Sequence, residues 1–181
     1  SHQCVVAPNY VGESRKGTIT FTQGDLVEAV TVNQAANSDA SITVSALEVA
    51  ADMYPGWNLG NTLEASFSSG DGLSAETSWQ GTKTTQAVID YVKSLGFKSI
   101  RIPCSWYTHF DVGTTTINAA WMARVKEVVD YCVQDGLYVI LNDHYDGGWV
   151  ETSFNKTDET TVTANCETMK TLWTQVANTF K

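Results

Sequence analysis

The chain has 181 residues, 43% apolar and 17% charged, an ordinary globular composition that excludes a disordered or collagen-like protein. Its net charge of −9 repels phosphate backbones and so argues against nucleic-acid binding, but it does not repel neutral sugars. No apolar run reaches the roughly 18–20 residues of a membrane-spanning segment. The cysteines at 4, 104, 132 and 166 lack C-x-x-C spacing and any histidine at ligand spacing, which predicts buried free thiols and no metal site.

The chain opens Ser1-His2-Gln3-Cys4, without an initiator Met or signal peptide, and this start reads as a cut. Residues 17–22 and 27–32 alternate polar and apolar around Gln23-Gly24-Asp25, which predicts a β-hairpin. Small polar residues follow, giving a linker over 36–44 between a first domain, 1–35, and a second, 45–181. Ser45 is placed to cap a short helix over 46–53, and residues 56–61 read as a strand. After a long loop over 62–83, Thr84 is expected to cap a helix with Val88, Tyr91, Val92 and Leu95 on its apolar face, ended by Gly96. A strand over 97–103 follows. Asn118 then caps a helix with Met122, Val125, Val129, Cys132 and Val133 on one face, Gly136 stops it, and 137–142 is the next strand. A last helix over 163–180 carries Met169, Leu172, Trp173, Val176 and Phe180.

Strands alternating with helices imply an α/β fold with parallel strands and right-handed crossovers. A doubly wound nucleotide binder would carry a G-x-G-x-x-G turn, and Asn58-Leu-Gly-Asn-Thr62 has one glycine. Long loops at the C-terminal strand ends favour a (β/α)8 barrel, where such loops build the active site. Side chains alternate between the faces of a strand. If Ile100 and Ile102 face the helices, Arg101 faces the barrel interior, and Asn142 and His144 share that side, with Val139, Leu141 and Asp143 opposite. A polar cluster at the C-terminal rim reads as a binding or catalytic floor.

The ordered series Gly56-Trp-Asn-Leu-Gly-Asn-Thr-Leu-Glu64, Glu76-Thr-Ser-Trp79, Leu95-Gly-Phe-Lys-Ser-Ile-Arg-Ile-Pro103 with Trp106 and His109, Trp121-Met122 with Arg124-Val125, Gly136 to Asn142, and His144-Tyr-Asp146 with Trp149 resembles the first half of glycoside hydrolase family five, in its bacterial endoglucanase branch. The resemblance implies an incomplete (β/α)8 TIM barrel, its first three βα units, as a fragment of a retaining endo-β-1,4-glucanase. It makes Arg101 the arginine that orients the catalytic nucleophile and His144 a contact to sugar hydroxyls beside the scissile bond. Asn61 and Glu64 match positions that hydrogen-bond glucose units. Tyr145 stands where many relatives have a second histidine, and Trp149 is a candidate stacking platform. Residues 14–21 and 30–36 resemble the last two strands of a BACON-type β-sandwich module, so the hairpin is expected to be a remnant of one.

Retaining glycosidases work with two carboxylates about 5–5.5 Å apart. In the family the proton donor lies in an Asn-Glu-Pro motif at the fourth strand, and no such motif occurs here. The expectation is a chain without acid or nucleophile, inactive alone. Glu64, Glu76, Asp143, Asp146 and Glu151 are the local carboxylates, and Asp143 has the wrong parity. No cofactor is implied. The expected partner is a β-glucan polysaccharide or oligosaccharide, and the expected location of the parent is secreted or cell-surface. Alternatives are a xyloglucanase, mannanase or mixed-linkage glucanase on the same fold, or a non-catalytic sugar-binding remnant. Three parallel strands with bare edges and an uncovered face also predict a chain that aggregates or stays molten.

Overall fold

The computed structural model describes residues 14–23, 25–35, 44–65, 72–154 and 158–180. Of the expected linker over 36–44, only Val44 falls among them. The chain divides into two compact units, Ser1–Asp52 and Met53–Lys181.

In the first unit, β1 (Arg15–Gln23) and β2 (Leu26–Gln34) form the expected antiparallel hairpin. Its register runs from Arg15 opposite Gln34 to Gln23 opposite Leu26. Thr18 and Ile19 face Thr31 and Val30, β-branched pairs that suit a pleated surface. The same unit includes α1 (Ala46–Asp52). Ser45 Oγ accepts the N–H of Glu48 at 3.2 Å, and Glu48 Oε2 accepts the N–H of Ser45 at 2.8 Å, a reciprocal capping box.

The second unit is built on a three-stranded parallel sheet in the order β3 (Gly56–Asn58), β4 (Ser99–Cys104), β7 (Tyr138–Asp143). Helices α2 (Gln86–Ser94) and α3 (Ala119–Gln134) each lead into the next strand. Both stop at a glycine in the left-handed region, Gly96 at φ 90° and Gly136 at φ 65°, so the chain reverses at once. Asn118 caps α3, its Oδ1 accepting from the N–H groups of Ala120 and Trp121. A small two-stranded ribbon, β5 (Phe110–Asp111) and β6 (Thr116–Ile117), precedes α3. After β7 come α4 (Trp149–Phe154) and α5 (Glu159–Phe180).

The core lies between sheet and helices. Ile100 and Ile102 are fully buried, as strand parity predicts, against a cluster that includes Ile89, Val92, Val125, Val128, Leu172 and Val176. The other face of the sheet carries Asn58, Arg101, Ile140 and Asn142. Among the described residues β3 and β7 are its edges.

Several boundaries differ from the sequence reading. The first barrel strand ends at Asn58 rather than Asn61, because a turn follows in which Asn61 adopts φ 61°. Thr85, not Thr84, is the N-cap of α2, and its side chain makes no capping bond. Thr84 turns inward and is buried. Helix α2 buries Ile89 and Val92, while Val88, Tyr91 and Leu95 lie exposed. The pattern with the most apolar matches was therefore rotated from the face that meets the sheet. In α3, Val128 is buried and Val133 exposed. Helix α5 begins earlier than 163 because Asp158 Oδ2 accepts the N–H of Thr161 at 2.8 Å. Helix α4 was not anticipated. Asp146 starts it by accepting from the N–H groups of Trp149 and Val150.

Candidate functional site

Strand β4 is central, and its register sets the site. Arg101 lies beside Asn58 of β3 and Ile140 of β7. Paired residues of parallel strands share a face, so Arg101 stands on the face away from the helices, between Asn58 and Ile140. Its Nη1 donates to Asn58 Oδ1 at 2.7 Å, and its Nη2 lies 3.1 Å from His144 Nδ1. The N–H of His144 donates to the carbonyl of Cys104 at 2.9 Å, which extends the β4–β7 ladder by one residue and anchors His144 at the rim. Sequence parity thus brought Arg101 and His144 to one side correctly, but it missed Asn58. The signal was present: Trp57 packs toward the core, so its neighbour Asn58 has to face the other way. Asn142 shares this face, but its Nδ2 donates to the Asp143 carbonyl at 3.0 Å.

Asn61 and Glu64 occupy one turn above β3. Asn61 is exposed, whereas Glu64 is only 4% exposed. The Glu64 oxygens accept the N–H groups of Asn61 at 2.6 Å and Thr62 at 2.9 Å. Glu64 therefore lies beneath Asn61 and holds its backbone. Tyr145 follows His144 and is 43% exposed. It meets Trp79, 46% exposed, edge to face with ring centroids 5.8 Å apart and planes at 63°. Trp79, from the quoted Glu76-Thr-Ser-Trp79 segment, had no assigned role in the sequence reading. Trp149 is 8% exposed and stacks on Tyr107 at 4.3 Å and 8°. That ring packs the loop layer rather than presenting a face outward.

The local carboxylates are largely engaged elsewhere. Glu76 is fully buried; its oxygens accept from Arg124 Nε and Nη2, both at 2.8 Å. Arg124 Nη2 also donates to the Thr84 carbonyl, and the N–H of Thr84 donates to Glu76 Oε1 at 2.9 Å. Asp146 caps α4. Asp143 pairs in register with Cys104, on the face opposite Arg101. Burial, reinforced by the charges of Asp146 and Glu151, pushes its carboxyl up to about 6. Cys104 and Cys132 are buried, and burial raises both thiols, Cys132 to about 12. Cys166 departs from the expectation of buried thiols and is exposed. Cys4 lies outside the described residues. Among the described residues no three His, Cys, Asp or Glu side chains group to hold a metal ion, and no helix is long and apolar enough to cross a membrane.

Parallel strands joined by helices, with a polar cluster where the strands end, define an α/β protein of the barrel type. The family model for cellulase (glycosyl hydrolase family 5) matches residues 64–181, and the chain belongs to that family. Its three parallel strands form part of the (β/α)8 barrel of the family rather than a closed barrel. A second family model, BACON, a putative N-terminal binding domain, matches residues 1–35. Endoglucanase A of Clostridium longisporum is 48% identical over 141 residues, covering 76% of this chain and 26% of its own length. XEG5B, a xyloglucan-specific β-1,4-glucanase from a ruminal metagenomic library solved in complex with XXLG, is 58% identical. It aligns with a TM-score of 0.66 over 73% of this chain and 35% of its own. A family 5 lichenase from Caldicellulosiruptor sp. F32, solved as a mutant with cellotetraose, is 42% identical with a TM-score of 0.67 over 76% of this chain and 37% of its own. The chain thus spans between about a quarter and two fifths of the length of these relatives.

Proposed function

We propose that this chain supplies the sugar-holding side of a retaining endo-β-1,4-glucanase acting on β-glucan. The observation that carries this reading is the Arg101–His144 pair at the strand rim, in a chain of family 5. In this reading Arg101 orients a nucleophile and His144 meets sugar hydroxyls. Asn61 offers its amide to a glucose unit, with Glu64 setting its backbone. Trp79 and Tyr145 offer exposed rings on which a sugar face stacks, and the phenol adds a hydrogen bond. Trp149 is assigned to support of the loop. Hydrolysis by retention needs two carboxylates about 5–5.5 Å apart across the bond. Of the five local carboxylates, Glu64, Glu76, Asp143 and Asp146 are held by the main chain, by Arg124 or on the opposite face, which leaves the exposed Glu151 without a second carboxylate to work with, so the 181 residues are expected to bind without cutting. The similarity to a xyloglucan-specific enzyme favours a branched glucan over a plain one as a second reading. Because polysaccharides do not enter cells, the proposed location of the parent protein is secreted or cell-surface.

Calorimetric titration of the chain with cellohexaose, a xyloglucan oligosaccharide and mannohexaose tests this, together with a reducing-sugar assay. The expected result is binding of the glucans, weakened by Tyr145→Ala and Trp79→Ala, and no released sugar. Absence of heat with all three at millimolar concentration would overturn the binding reading, and turnover would overturn the assignment of the carboxylates.

A further inference from the structure

A guanidinium carries five N–H donors and no acceptor. Whatever meets Arg101 at hydrogen-bond distance therefore has to accept. Asn58 does so through Oδ1 at 2.7 Å, and His144 through Nδ1 at 3.1 Å. An imidazole nitrogen accepts only when it bears no proton. We infer that Asn58 and Arg101 act as positioning residues that hold His144 in one neutral tautomer, with Nδ1 bare toward Arg101 and the proton on Nε2. His144 then meets a ligand as a hydrogen-bond donor, not as a base. On the reading of this face as a sugar site, its partner is a hydroxyl or ether oxygen that accepts.

The geometry also explains why Asn58 keeps this orientation. A flipped amide would set its NH2 against the Arg101 donor, an unfavourable contact that the observed orientation avoids. With Oδ1 toward Arg101, Nδ2 lies against Gly60: a Cβ built on Gly60 would stand 2.9 Å from Nδ2. No positive φ is needed at Gly60, so what a side chain there would meet is the Asn58 amide, which would have to shift to admit it. Gly60, Asn58, Arg101 and His144 thus form one line of contacts, with the left end shaped by space and the right end read out as a proton position.

The test needs no sugar, so it stands apart from the binding experiment above. The chain has three histidines, His2, His109 and His144. Long-range proton–nitrogen correlation on the 15N-labelled chain reports which ring nitrogen carries the proton, and His144→Gln identifies the His144 signals by their loss. If strand edges drive assembly, magic-angle spinning of the sedimented chain reads the same two ring shifts. At alkaline pH the expected His144 pattern is a pyridine-type Nδ1 and a pyrrole-type Nε2, with a single set of shifts. An Nδ1–H pattern, or shifts averaged between tautomers, would overturn the inference. Asn58→Asp keeps the acceptor and should leave the pattern unchanged. Asn58→Leu removes it and should bring averaged shifts, while the His109 signals stay fixed as a check on the fold. Should Asn58→Leu fail to fold, Gly60→Ala crowds the amide with Asn58 retained, and the same loss of a single tautomer is expected. An unchanged pattern in every folded variant would remove Asn58 from the assignment.

Discussion

The carboxylate of Glu64 spends both oxygens on the turn that carries Asn61: Oε1 accepts the N–H of Asn61 at 2.6 Å and Oε2 the N–H of Thr62 at 2.9 Å. Asn61 itself sits at φ 61°, a conformation that Asn tolerates better than most residues. Glu64→Ala leaves the buried N–H of Thr62 and the partly buried N–H of Asn61 without their acceptor and is expected to cost about 1–3 kcal/mol. Urea unfolding checks the stability loss, and the glucan titration should show weaker binding in the same variant. Asn61→Gly separates the two effects, since it suits the backbone but deletes the amide. Its expected outcome is unchanged stability with weakened binding. Equal binding by wild type and Asn61→Gly would remove Asn61 from the sugar site.

A second prediction concerns the buried pair of Glu76 and Arg124, which spans the long loop and α3. Removing one partner of a buried ion pair strands the other charge, at a cost of about 3–5 kcal/mol. Arg124 Nη1 also donates to Glu127 Oε2 at 2.6 Å, so its charge keeps one partner and Glu76→Ala should fall at the lower end of this range by urea midpoint. Joint replacement with Glu76→Leu and Arg124→Met should recover a large part of the loss, because no charge is then left buried. A double variant as unstable as the sum of the singles would contradict this account.

Asp143 predicts a pH dependence. Its carboxyl is raised from 3.8 to about 6, first by burial and then by the charge of Asp146. Between those two values the folded state holds a proton that the unfolded state has released. Stability is then fully present below about 3.8 for this group and declines as pH rises through about 6. Thermal unfolding from pH 4 to pH 8 should show that decline, and Asp143→Asn should flatten it. A variant with the slope of the wild type would assign the dependence to other groups.

The cysteines predict a pattern of labelling. Cys166 is exposed, while Cys104 and Cys132 are buried with raised thiols, so few thiolates are available at those two sites. In a Cys4→Ser background, a thiol reagent at pH 8 should modify one cysteine quickly and the other two only on unfolding. Mass mapping identifies the reactive one, and fast labelling of Cys104 or Cys132 would show that the core opens.

What the sequence by itself determined here is what local chemistry encodes. Helix ends were legible at Gly96, Gly136 and Asn118, because a left-handed turn or a capping side chain acts within a few residues. Strand alternation was legible too, so the burial of Ile100 and Ile102 and the opposite placement of Arg101 follow from a period of two. Tertiary structure alone decided the rest. The register of β3 on β4 sets Asn58 beside Arg101, and the rotation of α2 on the sheet buries Ile89 instead of Val88. The fold of the loops turns Trp149 onto Tyr107, pairs Glu76 with Arg124 and takes Glu64 beneath Asn61. Register, helix rotation and such pairings depend on which distant surface each residue meets, and a local pattern holds no record of that surface.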